Sequence, residues 1–198
     1  MEGREVESFT AVYRRGDVVV PALRESNSLY QSGYGSLLGE EGVLTLNPCE
    51  TLFLVERGKL SVICEETREV LHFGELLARF IALDRLIWTK YLVYRDLRSK
   101  GYVVREGYGL GVDFLLYERG AFGKRPPKYL VYGIWEGEPK RMRRLMEVVR
   151  FAEEKGKILK LAVIDRRGEV VYYTLQELEL RGESLSGRGV KSRGGGGP

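Results

Sequence analysis

The chain has 198 residues, 43% hydrophobic and 30% charged, enough for one large or two small soluble domains with real cores. No apolar run nears the roughly 18–20 residues a membrane span needs, and the start MEGREVESFT has no signal-peptide core; no membrane is expected, and an intracellular, cytoplasmic protein is. The net charge of +4 gathers in the last stretch, where Arg181, Arg188, Lys191 and Arg193 face only Glu183, so any RNA site must come from local patches.

In chain order, Val18 to Val20 reads as a strand stopped by Pro21. Ser32-Gly-Tyr-Gly35 is turn chemistry. Val43, Leu44 and Leu46 lead to a helix start, with Asn47 as cap, Pro48 in the first position and Glu50 at the capping-box position; Gly58 ends it. Cys49 and Cys64 match no metal spacing and read as two reduced, partly buried thiols. Leu60 to Ile63 is a short strand or the start of a second helix. Apolar residues from Leu76 to Leu97 repeat at helical spacing over a run too long for one ordinary helix, so Asp84 is read as the cap of a second one. Strands are expected at Tyr102–Val104, Val112–Tyr117 and Tyr129–Ile134. An amphipathic helix follows at Arg141–Glu154, with Met142, Leu145, Met146, Val149 and Ala152 in one stripe. Ile158 to Ile164 is nearly all apolar and is expected to be central in its sheet; a turn at Asp165–Gly168 returns the chain through Glu169–Leu175. Gly107-x-Gly-x-Gly111 lacks a GK[ST] ending and leads into a strand, so it is a strand-linking turn and not a phosphate loop.

The expected fold class is mixed α/β, as two small α/β domains. Residues 1–82 form the first; 83–181 form the second, a mixed sheet flanked by helices; 182–198, with seven glycines, form a flexible tail.

The segment from Tyr91 to Gly120 is the most specific. It contains Tyr94-Arg-Asp-Leu-Arg-Ser-Lys-Gly-Tyr102 and then Gly111-Val-Asp-Phe-Leu-Leu-Tyr117. These motifs resemble the catalytic-domain signature of archaeal tRNA-splicing endonucleases. The similarity continues through Lys128-Tyr-Leu-Val131 and Leu161-Ala-Val-Ile-Asp165 to Val170-Val-Tyr-Tyr173. It extends back to Ser28-Leu-Tyr-x-x-Gly-Tyr-Gly35 and Leu44-x-Leu-x-Pro-x-Glu-x-Leu-Phe-Leu54, so residues 26–178 are covered.

The resemblance implies metal-independent RNA cleavage with no cofactor. The 2′-hydroxyl attacks the neighbouring phosphate, giving 2′,3′-cyclic phosphate and 5′-hydroxyl ends. That reaction needs a base, an acid and positive charge on the developing phosphorane. The family's tyrosine maps to Tyr117 and its lysine to Lys157, but its histidine maps to Pro126, which cannot transfer a proton. The only histidine, His72, is read as structural. The resemblance further assigns RNA contacts to Arg150 and Tyr172; the alternatives are a solvated helix arginine and a sheet-packing tyrosine. It assigns subunit contacts to Glu136 and Glu138, and to Leu178 and Leu180 beyond the last strand. The expected partners are a catalytic endonuclease subunit, two copies of each chain assembling together, and precursor tRNA.

The expected role is therefore that of a structural, non-catalytic subunit. Three alternatives stay open: an active nuclease with Lys124 or Lys128 in place of the histidine, an RNA-binding scaffold, and a metal-dependent nuclease through Asp113 and Glu118.

Overall fold

A computed structural model describes residues 8–39, 42–107, 109–137, 139 and 142–176. The first sheet holds β1 (Phe9–Arg14), β2 (Asp17–Val20), β3 (Ser36–Leu38), β4 (Val43–Leu46), β5 (Leu60–Cys64) and β6 (Val70–Leu71) in the order β3-β4-β2-β1-β5-β6. Only β1 and β5 run parallel in it. The second holds β7 (Val103–Glu106), β8 (Phe114–Tyr117), β9 (Tyr129–Trp135), β10 (Ile158–Ile164) and β11 (Val170–Leu175) in the order β11-β10-β9-β8-β7, with β9 and β10 parallel. The helices are α1 (Leu23–Gln31), α2 (Pro48–Glu56), α3 (Phe73–Leu83), α4 (Ile87–Ser99) and α5 (Met142–Glu154). Mixed α/β architecture is thus the observed class. No helix among the described residues is long and apolar enough to cross a membrane.

Helix α2 explains how the two sheets are joined. Cys49 through Leu54 are all buried, so the helix has no solvent face over that run. A helix covered on all sides sits inside the protein, and its two polar residues there, Glu50 and Thr51, are hydrogen-bonded to Asn47. It packs against β5, α3 and α4, while α4 covers β7, β9, β10 and β11. The ring of Phe53 meets Tyr94 edge-on at 5.9 Å, and Tyr94 meets Phe114 at 5.8 Å. One apolar core therefore runs from the first sheet through α2 and α4 into the second. Helix α5 covers the other face of the second sheet, with Val148, Val149 and Ala152 on Leu130 and Leu159.

The capping box expected at α2 is present: Asn47 Oδ1 accepts from Glu50 N at 2.9 Å and Asn47 N donates to Glu50 Oε2 at 3.0 Å. Asp84, expected to cap the second long helix, instead closes α3; its Oδ1 accepts from Leu86 N and its Oδ2 from Lys90 Nζ at 2.7 Å, so α4 begins three residues later. Strand β10, expected to be central, lies second from one edge, and β9 holds the middle. Lys160 fits there because its ammonium donates to Thr174 Oγ1 on β11. The Gly107–Gly111 segment links β7 to β8: Gly107 N donates to Asp113 O, and a Cβ on Gly107 would meet Val112 O at 2.6 Å. Both cysteines are free and buried. Leu178, Leu180 and the tail lie outside the described residues.

Two arginines of the second half hold the Ser32–Ser36 turn of the first. Arg98 donates to Ser32 O and Tyr102 O, and its guanidinium lies 3.8 Å from the Tyr34 ring centroid. Arg105 donates to Gly35 O and Ser36 Oγ, and its Nη1 stands 3.8 Å from Glu50 Oε1. Gly33 has φ +79°, and a Cβ there would meet Val103 Cγ1 at 2.5 Å, so glycine lets the turn touch β7.

Burial raises the Glu50 carboxyl from 4.5 to about 7, against the pull of Asn47 and Arg105. The folded state then keeps a proton that the unfolded chain releases. This group's contribution is most favourable below about pH 4.5 and falls by on the order of 2–3 kcal/mol as pH rises to about 7, then levels. In a series of thermal midpoints against pH, Glu50→Gln is expected to flatten the slope within that window. An unaltered slope refutes the assignment.

Candidate active-site remnant

Strand register gathers three side chains at one end of the second sheet. Leu116 pairs with Tyr129, and Tyr129 pairs with Ile158. One residue further along each strand stand Tyr117, Lys128 and Lys157, in adjacent rows. Lys128 N donates to Leu116 O and Ile158 N to Lys128 O, which extends the ladder to this point. Tyr117 and Lys157 are thus two strand spacings apart, roughly 10 Å between backbones. The alternation that points Leu115, Leu130 and Leu159 toward α5 sends Tyr117 and Lys157 to that same face.

Both side chains are half-buried and held. The Tyr117 ring meets Phe122 edge-on at 5.2 Å. Phe122 in turn lies 6.5 Å from Tyr30 of α1 and 5.9 Å from the Arg105 guanidinium. The Lys157 ammonium donates to Pro127 O at 2.6 Å. Between them runs the β8–β9 turn, residues 118–128, and Pro126 is exposed upon it. Lys128 pairs with Glu118; the ammonium holds that carboxyl below its usual range, and the carboxylate raises the lysine in return. His72 is exposed at the start of α3, where its N–H donates to Glu75 Oε2, so it belongs to the first half of the chain.

The other expected residues lie elsewhere. Arg150 is exposed on α5. Tyr172 packs on the α4 face of the sheet: its hydroxyl donates to Asp96 Oδ2 at 2.7 Å and the Lys100 ammonium lies 5.0 Å from its ring. Burial, followed by the Asp96 hydrogen bond, raises that phenol strongly. The sheet separates Tyr172 from α5, which carries Arg150. Asp113, the candidate ligand, accepts from Gly133 N at 2.7 Å, and Glu118 is engaged by Lys128. Glu136 is exposed just after β9, while Glu138 lies outside the described residues. Sequence spacing does not single out Phe122 or Arg105. The one signal for Phe122 was a bulky apolar residue in an otherwise polar, glycine-flanked turn.

The N-terminal-domain model of tRNA intron endonucleases matches residues 10–77, and the model of their catalytic C-terminal domain matches residues 87–172. The chain belongs to the tRNA intron endonuclease family. The tRNA-splicing endonuclease of Methanococcus vannielii is 37% identical over 152 residues, 77% of this chain and 84% of the relative. That of Thermococcus kodakarensis is 33% identical over 166 residues, covering 83% and 95%. That of Methanococcoides burtonii is 32% identical over 168 residues, 84% of this chain but 46% of the relative. Excision of tRNA introns is the process with which this family membership is consistent.

Tyr172→Phe removes a hydrogen bond to a carboxylate and is expected to lower stability by about 1–2 kcal/mol. RNA affinity should not change. Chemical denaturation and fluorescence anisotropy with a labelled RNA check the two halves of this statement.

Proposed function

We propose that this chain is the structural subunit of a heteromeric tRNA intron endonuclease. With a histidine-bearing catalytic subunit, it removes introns from precursor tRNA at bulge-helix-bulge motifs, leaving 2′,3′-cyclic phosphate and 5′-hydroxyl ends.

Pro126 carries this reading. In-line attack by a 2′-hydroxyl needs one group to take its proton and another to protonate the leaving 5′-oxygen. The turn between Tyr117 and Lys157 offers proline at the family's histidine position, and the chain's single histidine is His72. Tyr117 and Lys157 are nonetheless retained, which favours the second reading of an active nuclease with a lysine substitute. Lys128 suits that role poorly. Its pairing with Glu118 raises an ammonium that is already too weak an acid, whereas proton transfer near neutrality needs a lowered one.

Subunit contacts are proposed at two places. Glu136, with Glu138, would dock into a basic cleft of a partner, where charge fixes register and partner choice. Strand β11 would pair with a second subunit, continuing toward Leu178 and Leu180. Its outward residues Val171 and Tyr173 are 50% and 53% exposed, apolar surface on an edge strand that a partner would cover.

The purified chain alone should leave intron-containing RNA intact in the presence of chelator. Co-expression with a histidine-bearing homologue from the same genome should give a larger particle that cuts it. Robust cutting by the isolated chain overturns the structural-subunit reading. Reversal of the acidic pair, Glu136→Lys with Glu138→Lys, should split the particle without unfolding the chain, as read by sedimentation, and raised salt should mimic part of the effect.

A further inference from the structure

We infer that the β8–β9 turn is a binding site for the phosphodiester backbone of RNA, with Arg119, Lys124 and Arg125 as its cationic ligands. This extends the proposed function, on which it rests for the identity of the polyanion.

Charge is the first ground. Residues 118–128 hold four basic side chains, Arg119, Lys124, Arg125 and Lys128, against the single acid Glu118. The salt bridge from Lys128 occupies that acid. Among the described residues no carboxylate forms a salt bridge with Arg119, Lys124 or Arg125, and all three are exposed. The one carboxylate is salt-bridged to Lys128 and also lies in the field of Arg125, so a single acid stands against four cations and the turn keeps an excess positive charge that a bound anion would relieve.

Shape is the second. The three line one open depression of about 290 Å³ together with Glu118, Gly120 and Ala121. The turn beneath it is fixed. Ala121 is buried, and its carbonyl accepts from both Lys124 N and Arg125 N, at 3.0 and 2.8 Å. Phe122 is wedged between Tyr117 and Tyr30. The Arg119 guanidinium lies over the Tyr102 ring at 5.1 Å, which orients its planar fork. Cations held in place before binding lose less freedom when a phosphate arrives.

Position is the third. The depression adjoins the end of the sheet where Tyr117 and Lys157 stand, so a strand lying across those residues would continue onto the turn. An acidic protein segment is the competing occupant. The acidic segment of this chain, at Glu136, follows the opposite end of β9, seven strand residues or roughly 20 Å away, so it does not reach the turn within one chain.

The test uses the full chain and a labelled RNA hairpin with two bulges, titrated at several salt concentrations. The variant Arg119→Gln/Lys124→Gln/Arg125→Gln is compared with Arg24→Gln/Arg85→Gln/Arg166→Gln, which removes the same charge from exposed sites elsewhere. Loss of three phosphate contacts should reduce the slope of log affinity against log salt by about two and weaken binding at least tenfold. The control should lose less than about threefold. Thermal midpoints should match wild type, and the milder pair Lys124→Gln/Arg125→Gln should fall between. Equal losses in both triples, or none in the turn variant, overturn the proposal. So does a turn variant that binds RNA normally but no longer assembles with a catalytic subunit, for the occupant is then an acidic protein segment. If the wild-type chain binds RNA through the turn yet joins no histidine-bearing subunit, the subunit reading falls and this site stands. If the assembled complex cuts RNA but the turn variant binds it normally, the reverse holds.

Discussion

Arg98 and Arg105 set the constraint on which the rest of the molecule depends. Both start in the second half of the chain and end on backbone oxygens of the Ser32–Ser36 turn in the first. Gly35 is buried at this seam and its carbonyl needs a donor there, because an unpaired buried carbonyl costs about what a lost hydrogen bond does, while the Ser32 bond is on the exposed side. Guanidinium groups supply several donors from one fixed plane, so two side chains can satisfy the turn and hold its position. Glu50 lies beside this seam as a buried acid, with Asn47 N–H and Arg105 near its two oxygens. The seam is polar and directional, whereas the Phe53–Tyr94–Phe114 contact next to it is apolar and tolerant of angle. The first gives the relation between the sheets its direction; the second belongs to the apolar core that runs through both.

That fixed relation reaches the remnant site. Tyr30 is part of α1, in the first half, and touches Phe122 on the turn that carries Pro126. Arg105 contributes to the seam and also lies over the Phe122 ring. The position of the turn is thus shared between both halves, while the rows of Tyr117, Lys128 and Lys157 are set by the β8–β9–β10 ladder alone. The three cations of the turn stand on a base that neither half builds by itself.

Much of this was legible in the sequence, and for identifiable reasons. Asn47, Pro48 and Glu50 marked the start of α2 because capping is local chemistry. Ile158–Ile164 announced β10 because a strand covered on both faces must be apolar throughout. Helix α1 carries no such signal: its cap residue Ala22 makes no side-chain bond, and its sequence LRESNSLYQ buries only Ser26 and Leu29. The periodicity shows the α3–α4 break but not which helix Asp84 closes, since an aspartate two residues before a free N–H serves either end of a break. In the site, the spaced motifs name Tyr117, Lys157 and Pro126 as candidates, and the strand register puts the first two at one end of the second sheet. Tyr172 was harder, because which sheet face a strand residue occupies depends on register and on which helix covers that face. Phe122 reaches Tyr30 across 92 residues, Arg98 reaches Ser32 across 66 and Arg105 reaches Gly35 across 70, and no local pattern signals such contacts.

Pro126 and Pro127 stand side by side on the approach to β9, Pro126 at the position the resemblance assigns to a histidine. Each ring locks one backbone angle and removes one N–H, so the approach to β9 has fewer shapes available even in the unfolded chain. The carbonyl of Pro127 is fastened by Lys157, and Lys128 supplies the first N–H of the ladder that follows. A side chain that shuttles protons must adjust its reach as a reaction proceeds. This segment is braced against such adjustment at both ends. In the two-chain assembly proposed above, such bracing would divide labour mechanically: the partner would keep the moving parts, and this chain would serve as the rigid frame against which they move.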